Sequence, residues 1–410
     1  MGSLLNKRIV LGVTGGIAAY KSAELARRLR DAGVDVRVVM TQAATEFITP
    51  LTMQAVSARP VHLHMLDVEA ESGMGHIELA RWADVVLVAP ASANFVAKLA
   101  HGRADDLLST LCIATTAIVA VAPAMNQQMW DNAATKANLA TIKKNGVAVF
   151  GPGSGSQACG EIGPGRMFEP EQLVDMTGAL FASGALDGVR VVVTAGPTWE
   201  PIDPVRGITN RSSGRMGYAV AEAAAEAGAH VVLVSGPTAL AGPDRVITVH
   251  VSSAQQMHDA VHAHMREANV FIGVAAVSDY RPEKMAHHKI KKHADTLTVK
   301  LVKNPDILAS VAALSPPPFT VGFAAETEKV EAHARAKLKE KKIDLIAAND
   351  VSAKDSGFES EHNHLLLIDK DGVIELPQQH KTQLARALIE HIARKFHAKS
   401  TAQDSRYAHR

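Results

Sequence analysis

Twice in 410 residues the sequence runs an apolar strand into a glycine turn and then into a helical pattern, and this repeat constrains the fold more than any other feature. The first cycle is RIVLGVT from Arg8, the turn between Gly12 and Gly16, the helix IAAYKSAELARRLRDAG and the strand VDVRVVM. The second opens at Val189 with VRVVVTAGPTWEP and continues as SGRMGYAVAEAAAEAG and AHVVLVSGP. Short apolar runs bounded by turns read as strands buried on both faces, and strands separated by helices pair in parallel. An α/β chain with two mostly parallel sheets follows.

Further strands continue each cycle: DVVLVAP from Asp84, AIVAVAP from Ala117 and GVAVF from Gly146, then VFIGVAA, FTVGFAA, IDLIAAND and a hairpin-like LLLIDKDGVIEL. At ~150 residues per domain the length suits two Rossmann-like domains. The boundaries are expected at 1–182 and 189–397, with SGALDG (183–188) as a linker and 398–410 as a disordered polar tail. Lys and Arg total 43 against 42 Asp and Glu, so no basic field points to nucleic acid or a membrane, and small-molecule partners are expected. Two cysteines make no disulfide framework. No apolar run spans a bilayer and no leader precedes the first strand, which together suggest a cytoplasmic protein.

Both first strands end in glycine turns at helix N-termini, where free N–H groups favour a phosphate. The turn GVTGG lacks the dinucleotide spacing, and the second strand ends in Met40 and Thr41 without a ribose-binding acid, which argues against a nicotinamide enzyme. Polar residues recur where parallel strands end: Thr41, then Ser92 and Asn94, then Asn126 beside Met125. Ser92 reads equally well as a helix cap. His76 opens a short helix, where it reads either as a structural histidine or as an imidazole available as a base. The stretch GPGSGSQACGEIGPGR, from Gly151 to Arg166, reads as a mobile flap carrying Cys159. Lys289, Lys291 and Lys292 form a basic cluster that on charge alone reads as a solvated loop. His258 and His262 have helical metal-pair spacing but no third ligand, and no structural metal is expected. Cys112 in LLSTLCIATT reads as a small buried hydrophobe.

The segments PASANFVAK, PAMNQQMW and GSGSQACGEIGPGRM closely resemble the signatures of the flavin-containing cysteine decarboxylases. AGPTWEPIDPVRGITNRSSGRMG, AAVSDYRP, KIKK, KNPDI, GFAAET and AANDV resemble those of the phosphopantothenate-cysteine ligases. Together, over about Lys7 to Lys395, the chain is similar to the bacterial family of coenzyme A biosynthesis that fuses the two. For the first domain the resemblance implies a flavodoxin-like fold and FMN-dependent oxidative decarboxylation. The cysteinyl moiety would give up two electrons to flavin, lose carbon dioxide as a thioaldehyde and be reduced again as an enethiolate. His76 would be the base, Asn126 the partner of the substrate carboxylate and Cys159 the proton donor. Gly15, Gly16, Thr41, Ser92 and Asn94 would contact FMN, at a site formed between subunits of a trimer or a multiple such as a dodecamer.

For the second domain the resemblance implies CTP-driven coupling of 4'-phosphopantothenate to L-cysteine through an acyl-cytidylate. Magnesium would accompany CTP, with Asp279 a candidate ligand. Lys289 would neutralise charge on the departing pyrophosphate, and Asn210 would position the acyl-cytidylate for the amine. Gly273, Val274, Ala275, Asp279, Asn304, Pro305, Asp306, Ile307, Phe323, Lys337 and Lys341 match CTP-binding positions. Lys337 and Lys341 stand four apart, on one helical face. A non-catalytic flavin-binding regulatory protein on the same fold is the alternative, and the joint presence of His76, Asn126 and Cys159 argues against it.

Overall fold

The computed structural model describes residues 4–65, 75–157, 160–291, 296–326, 330–350 and 360–407. They fold as two compact units, 1–182 and 183–410, each around its own sheet. In the first unit the strands are β1 (Arg8–Val13), β2 (Asp35–Met40), β3 (Val61–His62), β4 (Val85–Ala91), β5 (Ile118–Pro123) and β6 (Ala148–Val149). Their order is β3-β2-β1-β4-β5-β6 and every pairing is parallel. The chain builds outward from β1 on one side, then returns to build from β4 on the other. The strand order therefore reverses between β1 and β4, and sheets of this kind bind ligands outside the C-terminal ends of the strands at that point.

Side chains alternate across a strand, so each apolar run feeds two cores. Ile9, Leu11, Val13, Val85 and Leu87 pack against Leu25 and Leu29 of the helix Tyr20–Asp31. Val10, Val86 and Val88 pack against Phe95, Leu107, Leu108 and Leu111 on the other face. Each such side chain contributes about 1.5–3 kcal/mol by leaving water. Gly12 is explained by this packing, because a Cβ there would lie 2.6 Å from Leu108 Cδ1.

A hairpin follows the sheet, made of β7 (Gly153–Ser156) and β8 (Ile162–Arg166), paired antiparallel. In the second unit the main sheet comprises β9 (Arg190–Ala195), β12 (His230–Ser235), β13 (Val246–His250), β14 (Val270–Gly273), β17 (Phe319–Glu326), β18 (Leu345–Asp350), β19 (His362–Ile368) and β20 (Val373–His380). Two short hairpins stand outside it: β10 (Trp199–Pro201) with β11 (Gly207–Thr209), and β15 (Tyr280–Pro282) with β16 (Leu301–Lys303). The main order is β13-β12-β9-β14-β17-β18-β19-β20, parallel as far as β18 and antiparallel beyond it. The reversal lies between β9 and β14. The helices Arg215–Glu226 and Lys381–Tyr407 share one face of this sheet, joined by an ion pair between Arg386 Nε and the buried Glu226 at 2.8 Å.

Two expectations change. The expected linker is partly core: Leu186 is 0 % exposed among the side chains of the second unit, and its N–H donates to Ala227 O at 2.7 Å. The expected disordered tail is helical to Tyr407, because the last helix continues past the core. Lys399 secures it, 2.6 Å from Asp344 Oδ1 and over the Phe319 ring.

Candidate functional site

Because β1 to β6 are parallel, their C-terminal ends share one edge, and the polar residues expected at a site converge there. Thr14 fastens this edge. Its hydroxyl donates to Pro90 O at 2.8 Å and accepts from Ser92 N–H at 2.9 Å, locking the turn after β1 to the turn after β4. A Cβ on Gly15 would lie 2.6 Å from Ala43 Cβ, so the turn passes against the segment after β2. A Cβ on Gly16 would meet nothing within 4 Å. The turn that follows, Ile17–Ala19, has no side-chain cap. Thr41 ends β2 and opens the turn Gln42–Glu46. Ser92 caps the helix Ala93–Ala100 by accepting from Phe95 N–H at 3.3 Å, and Asn94 is exposed on that helix's first turn. His76 is the first residue of the helix His76–Trp82, which joins β4 through Ala83 and Asp84.

Asn126 follows β5 and caps the short helix Gln127–Asp131, its Oδ1 accepting from Gln128 N–H at 2.8 Å. That bond turns the amide nitrogen towards the β7–β8 hairpin. Asn126 Nδ2 donates to Glu161 Oε2 at 2.7 Å and, at a longer 3.4 Å, to Gln157 Oε1. Gln157 also accepts from Gln127 N–H at 3.1 Å and donates to Pro164 O at 2.9 Å, while Met125 N–H donates to Gly165 O at 3.0 Å. Within the stretch expected as a mobile flap, Gly153–Ser156 and Ile162–Arg166 form a paired hairpin tied to the Asn126 turn. Cys159 lies outside the described residues.

In the second unit a cavity of about 560 Å³ gathers most of the expected nucleotide residues. Gly273, Ala275, Asp279, Asn304, Pro305, Asp306, Ile307, Phe323, Lys337 and Lys341 all line it. Asn304 braces the wall, its N–H donating to Asp279 O at 2.8 Å and its Nδ2 to Ser278 O at 2.7 Å. Lys337 Nζ donates to Phe323 O at 3.3 Å, and Lys341 Nζ lies 2.8 Å from Asp306 Oδ2. Burial pushes the Asp306 pKa up, but Lys341 and the Ala309 N–H outweigh it and hold the carboxyl below its usual range.

A second cavity of about 350 Å³ holds Asn210, Val274, Arg215 and Lys381, and shares Ala275, Val277 and Phe323 with the first. Asn210 Nδ2 donates to Ala276 O at 3.1 Å. Lys381 is buried, and burial together with the nearby Arg215 charge lowers its pKa to about 8.

Lys289 lines neither cavity and is exposed. Its neighbour Ile290 is clamped at both ends of the residue: its N–H donates to Asp203 Oδ2 at 3.1 Å, and its carbonyl accepts from Arg206 Nη2 at 2.8 Å. Asp203 is buried and accepts as well from Arg206 Nε and Nη2 at 3.0 and 2.6 Å. Burial alone would raise its pKa; these bonds and the backbone N–H groups of Val205, Arg206 and Ile290 depress it strongly. Sequence reasoning missed Thr14, Asp203, Arg206, Glu161 and Lys381. The i, i+3 spacing of Asp203 and Arg206 was the available hint.

His262 and His258 pair with Ser310 Oγ (2.9 Å) and Asp259 Oδ1 (3.1 Å). Among the described residues no group of three or more His, Cys, Asp or Glu could hold a metal ion. None of the described helices is long and apolar enough to cross a membrane. Cys112 packs against the core of the first unit, and burial pushes its thiol up to about 12.

The model of the family described as the DNA/pantothenate metabolism flavoprotein C-terminal domain matches residues 186–396, and that described as Flavoprotein matches 2–182. The chain is 54% identical over 395 residues to the coenzyme A biosynthesis bifunctional protein CoaBC of Vibrio vulnificus, covering 96% of this chain and 98% of the relative. A solved C-terminal domain of a CoaBC protein is 44% identical and covers 53% of this chain and 100% of its own, with a TM-score of 0.46. The structure of the FMN-dependent cysteine decarboxylase SpaF is 29% identical and covers 43% of this chain and 99% of its own, with a TM-score of 0.37. With matches of this identity running through both units, the chain belongs to the CoaBC family of bifunctional coenzyme A biosynthesis proteins.

Proposed function

We propose that this chain performs two consecutive steps of coenzyme A biosynthesis. It couples 4'-phosphopantothenate to cysteine with CTP, through an acyl-cytidylate, and decarboxylates the resulting 4'-phospho-N-pantothenoylcysteine to 4'-phosphopantetheine with FMN. The full-length relatives carry the name of the bifunctional enzyme, which favours catalysis over a purely flavin-binding role. The second unit, 183–410, is the ligase domain and the first, 1–182, the decarboxylase domain. The observation that carries the ligase reading is the wall common to the two cavities. An acyl-cytidylate has a nucleotide half and an acyl half, and this pair of spaces suits the two halves with their junction near Ala275 and Phe323.

Lys337 and Lys341 supply positive charge to the triphosphate, and Asn210 holds the acyl half for the incoming amine. Lys289, on the segment clamped by Asp203 and Arg206, neutralises charge on the leaving pyrophosphate. Magnesium would enter with CTP, since this ion is commonly held by one carboxylate plus substrate phosphates, and Asp279 is that carboxylate.

In the first domain the turn after β1 suits the phosphate of FMN: it is uncapped, and Gly16 leaves open space where a Cβ would stand. Gly15, Gly16, Thr41, Ser92 and Asn94 would hold the cofactor, which when bound supplies a two-electron acceptor. His76 takes a proton from the cysteinyl moiety, Asn126 orients its carboxylate, and Cys159 returns a proton at the end. The exposed Ile17, Tyr20 and Leu51 near this edge support a site completed by a second subunit, in a trimer or a multiple of one. A cytoplasmic location goes with these soluble substrates.

The residue assignments are tested by Lys289→Gln and Asn210→Asp in a quenched reaction with CTP, magnesium, 4'-phosphopantothenate and cysteine, followed by mass spectrometry. Loss of one electrostatic contact costs ~3 kcal/mol, so the Lys289 variant forms acyl-cytidylate about a hundredfold more slowly. The Asn210 variant accumulates it. The reverse pattern would show the two roles to be exchanged.

A further inference from the structure

We propose that Glu161 occupies, on the Asn126 amide, the place that the substrate carboxylate takes, and that this internal competitor sets how strongly the decarboxylase domain prefers a carboxylated ligand to its decarboxylated product. The inference rests on the reading of Asn126 as the partner of the substrate carboxylate.

The orientation of the amide is fixed from one side, because Asn126 Oδ1 accepts from Gln128 N–H at 2.8 Å. The two N–H groups must then point towards the β7–β8 hairpin, where among the described residues they meet acceptors of unequal strength. Gln157 Oε1 is neutral, 3.4 Å away, and already accepts from Gln127 N–H. Glu161 Oε2 is charged and only 2.7 Å away. Charge-assisted bonds of this kind are roughly twice as strong as neutral ones. A ligand carboxylate therefore gains full use of the Asn126 amide by displacing Glu161.

That exchange replaces one carboxylate with another on the same donor, so it costs little in hydrogen bonding, and Glu161, exposed on its hairpin, can be solvated when released. A ligand without a carboxylate has nothing to exchange. Once carbon dioxide has left, Glu161 returns to Asn126, and the product keeps no hold on that amide. Glu161 is a specificity-determining residue on this account, and its charge is the feature that matters.

The test uses the full chain with FMN bound and two unreactive probes: 4'-phosphopantothenoylserine, which keeps the carboxylate and replaces the thiol with a hydroxyl, and 4'-phosphopantothenoylethanolamine, which lacks the carboxylate. Binding of each is measured by calorimetry to the unmodified chain, to Glu161→Gln and to Asn126→Ala. Glutamine keeps an acceptor but weakens the internal competitor, so Glu161→Gln binds the serine probe about tenfold more tightly. The ethanolamine probe changes by less than about twofold, which controls for the general effect of removing a negative charge near a phosphorylated ligand. Asn126→Ala loses the preference for the serine probe. If Asn126→Ala retains that preference, the reading of Asn126 falls and the proposal with it. If Asn126→Ala loses the preference but Glu161→Gln does not tighten the serine probe, or tightens both probes equally, the proposal alone is overturned.

Discussion

The Lys341–Asp306 pair at the nucleotide cavity makes a quantitative prediction. The two charges are 2.8 Å apart with side chains 21% and 49% exposed, so the pair is neutral as a unit but not sealed from water. Asp306 is held below the usual carboxylate range and is therefore charged at neutral pH. Removing either charge changes the field at a bound triphosphate by one unit. At ~6 Å and an effective dielectric of ~40, between the near-surface value and water, that change is worth ~1.4 kcal/mol, about tenfold in affinity. Lys341→Met should raise the KM for CTP about tenfold, and Asp306→Asn should lower it by a similar factor. Asparagine is a sound control because it can still cap the helix Ile307–Ala312 by accepting from Ala309 N–H, now at 3.0 Å. The double variant removes both charges and should return to within about threefold of the parent. Pyrophosphate release at varied CTP, with 4'-phosphopantothenate and cysteine saturating, gives all four values. If the double variant is as impaired as Lys341→Met, Asp306 touches the nucleotide itself and the counter-charge argument is wrong.

Gly15→Ala forces a Cβ against Ala43, an overpacking that costs about 1–3 kcal/mol, and should lower FMN content; Gly16→Ala enters open space, so flavin loss there with an unchanged melting temperature reports on the ligand's approach. Asp203→Asn should loosen Ile290 and slow acyl-cytidylate formation while leaving its use by cysteine unchanged, as rapid-quench kinetics would show. Because the folded pKa of Asp203 is depressed, its stabilisation is fully present above the ordinary aspartate value of 3.8 and is lost as pH falls towards the folded value. Acid unfolding of Asp203→Asn should therefore be flatter below about pH 4, and an identical acid limb would contradict the assignment. Cys112, half-buried against the first unit's core with its thiol pushed up to about 12, should react slowly with iodoacetamide at pH 8 in the native chain; labelling as fast as that of a free thiol would contradict this environment.

Much of the fold was legible because strand runs such as VVLVAPA are apolar at every position, which suits only a sheet covered on both faces. The positions of Ser92 and Asn126 followed from the same logic, since parallel strands deliver their ends to one edge, whereas the nucleotide residues were recognised only through the family resemblance. Segments held by tertiary contacts were harder to read. Leu186 sits in a small, polar stretch with no periodicity, and Lys399 in a polar tail; their partners Ala227 and Asp344 are distant in sequence. The glycines of 151–166 suggested a mobile flap but gave no sign of its backbone pairing or of the Gln157 bond that spans it. Likewise, Asp203 and Lys381 look like ordinary surface charges until burial and partners are known.

The most direct measurement supplies the purified, FMN-loaded chain with 4'-phosphopantothenate, cysteine, CTP and magnesium and follows pyrophosphate and carbon dioxide separately. The account predicts that pyrophosphate appears first, that carbon dioxide follows in equal final amount, and that His76→Asn abolishes carbon dioxide release while pyrophosphate release continues unchanged. Pyrophosphate without carbon dioxide from the FMN-loaded parent chain, or loss of both in His76→Asn, would contradict two active domains with separate chemistry.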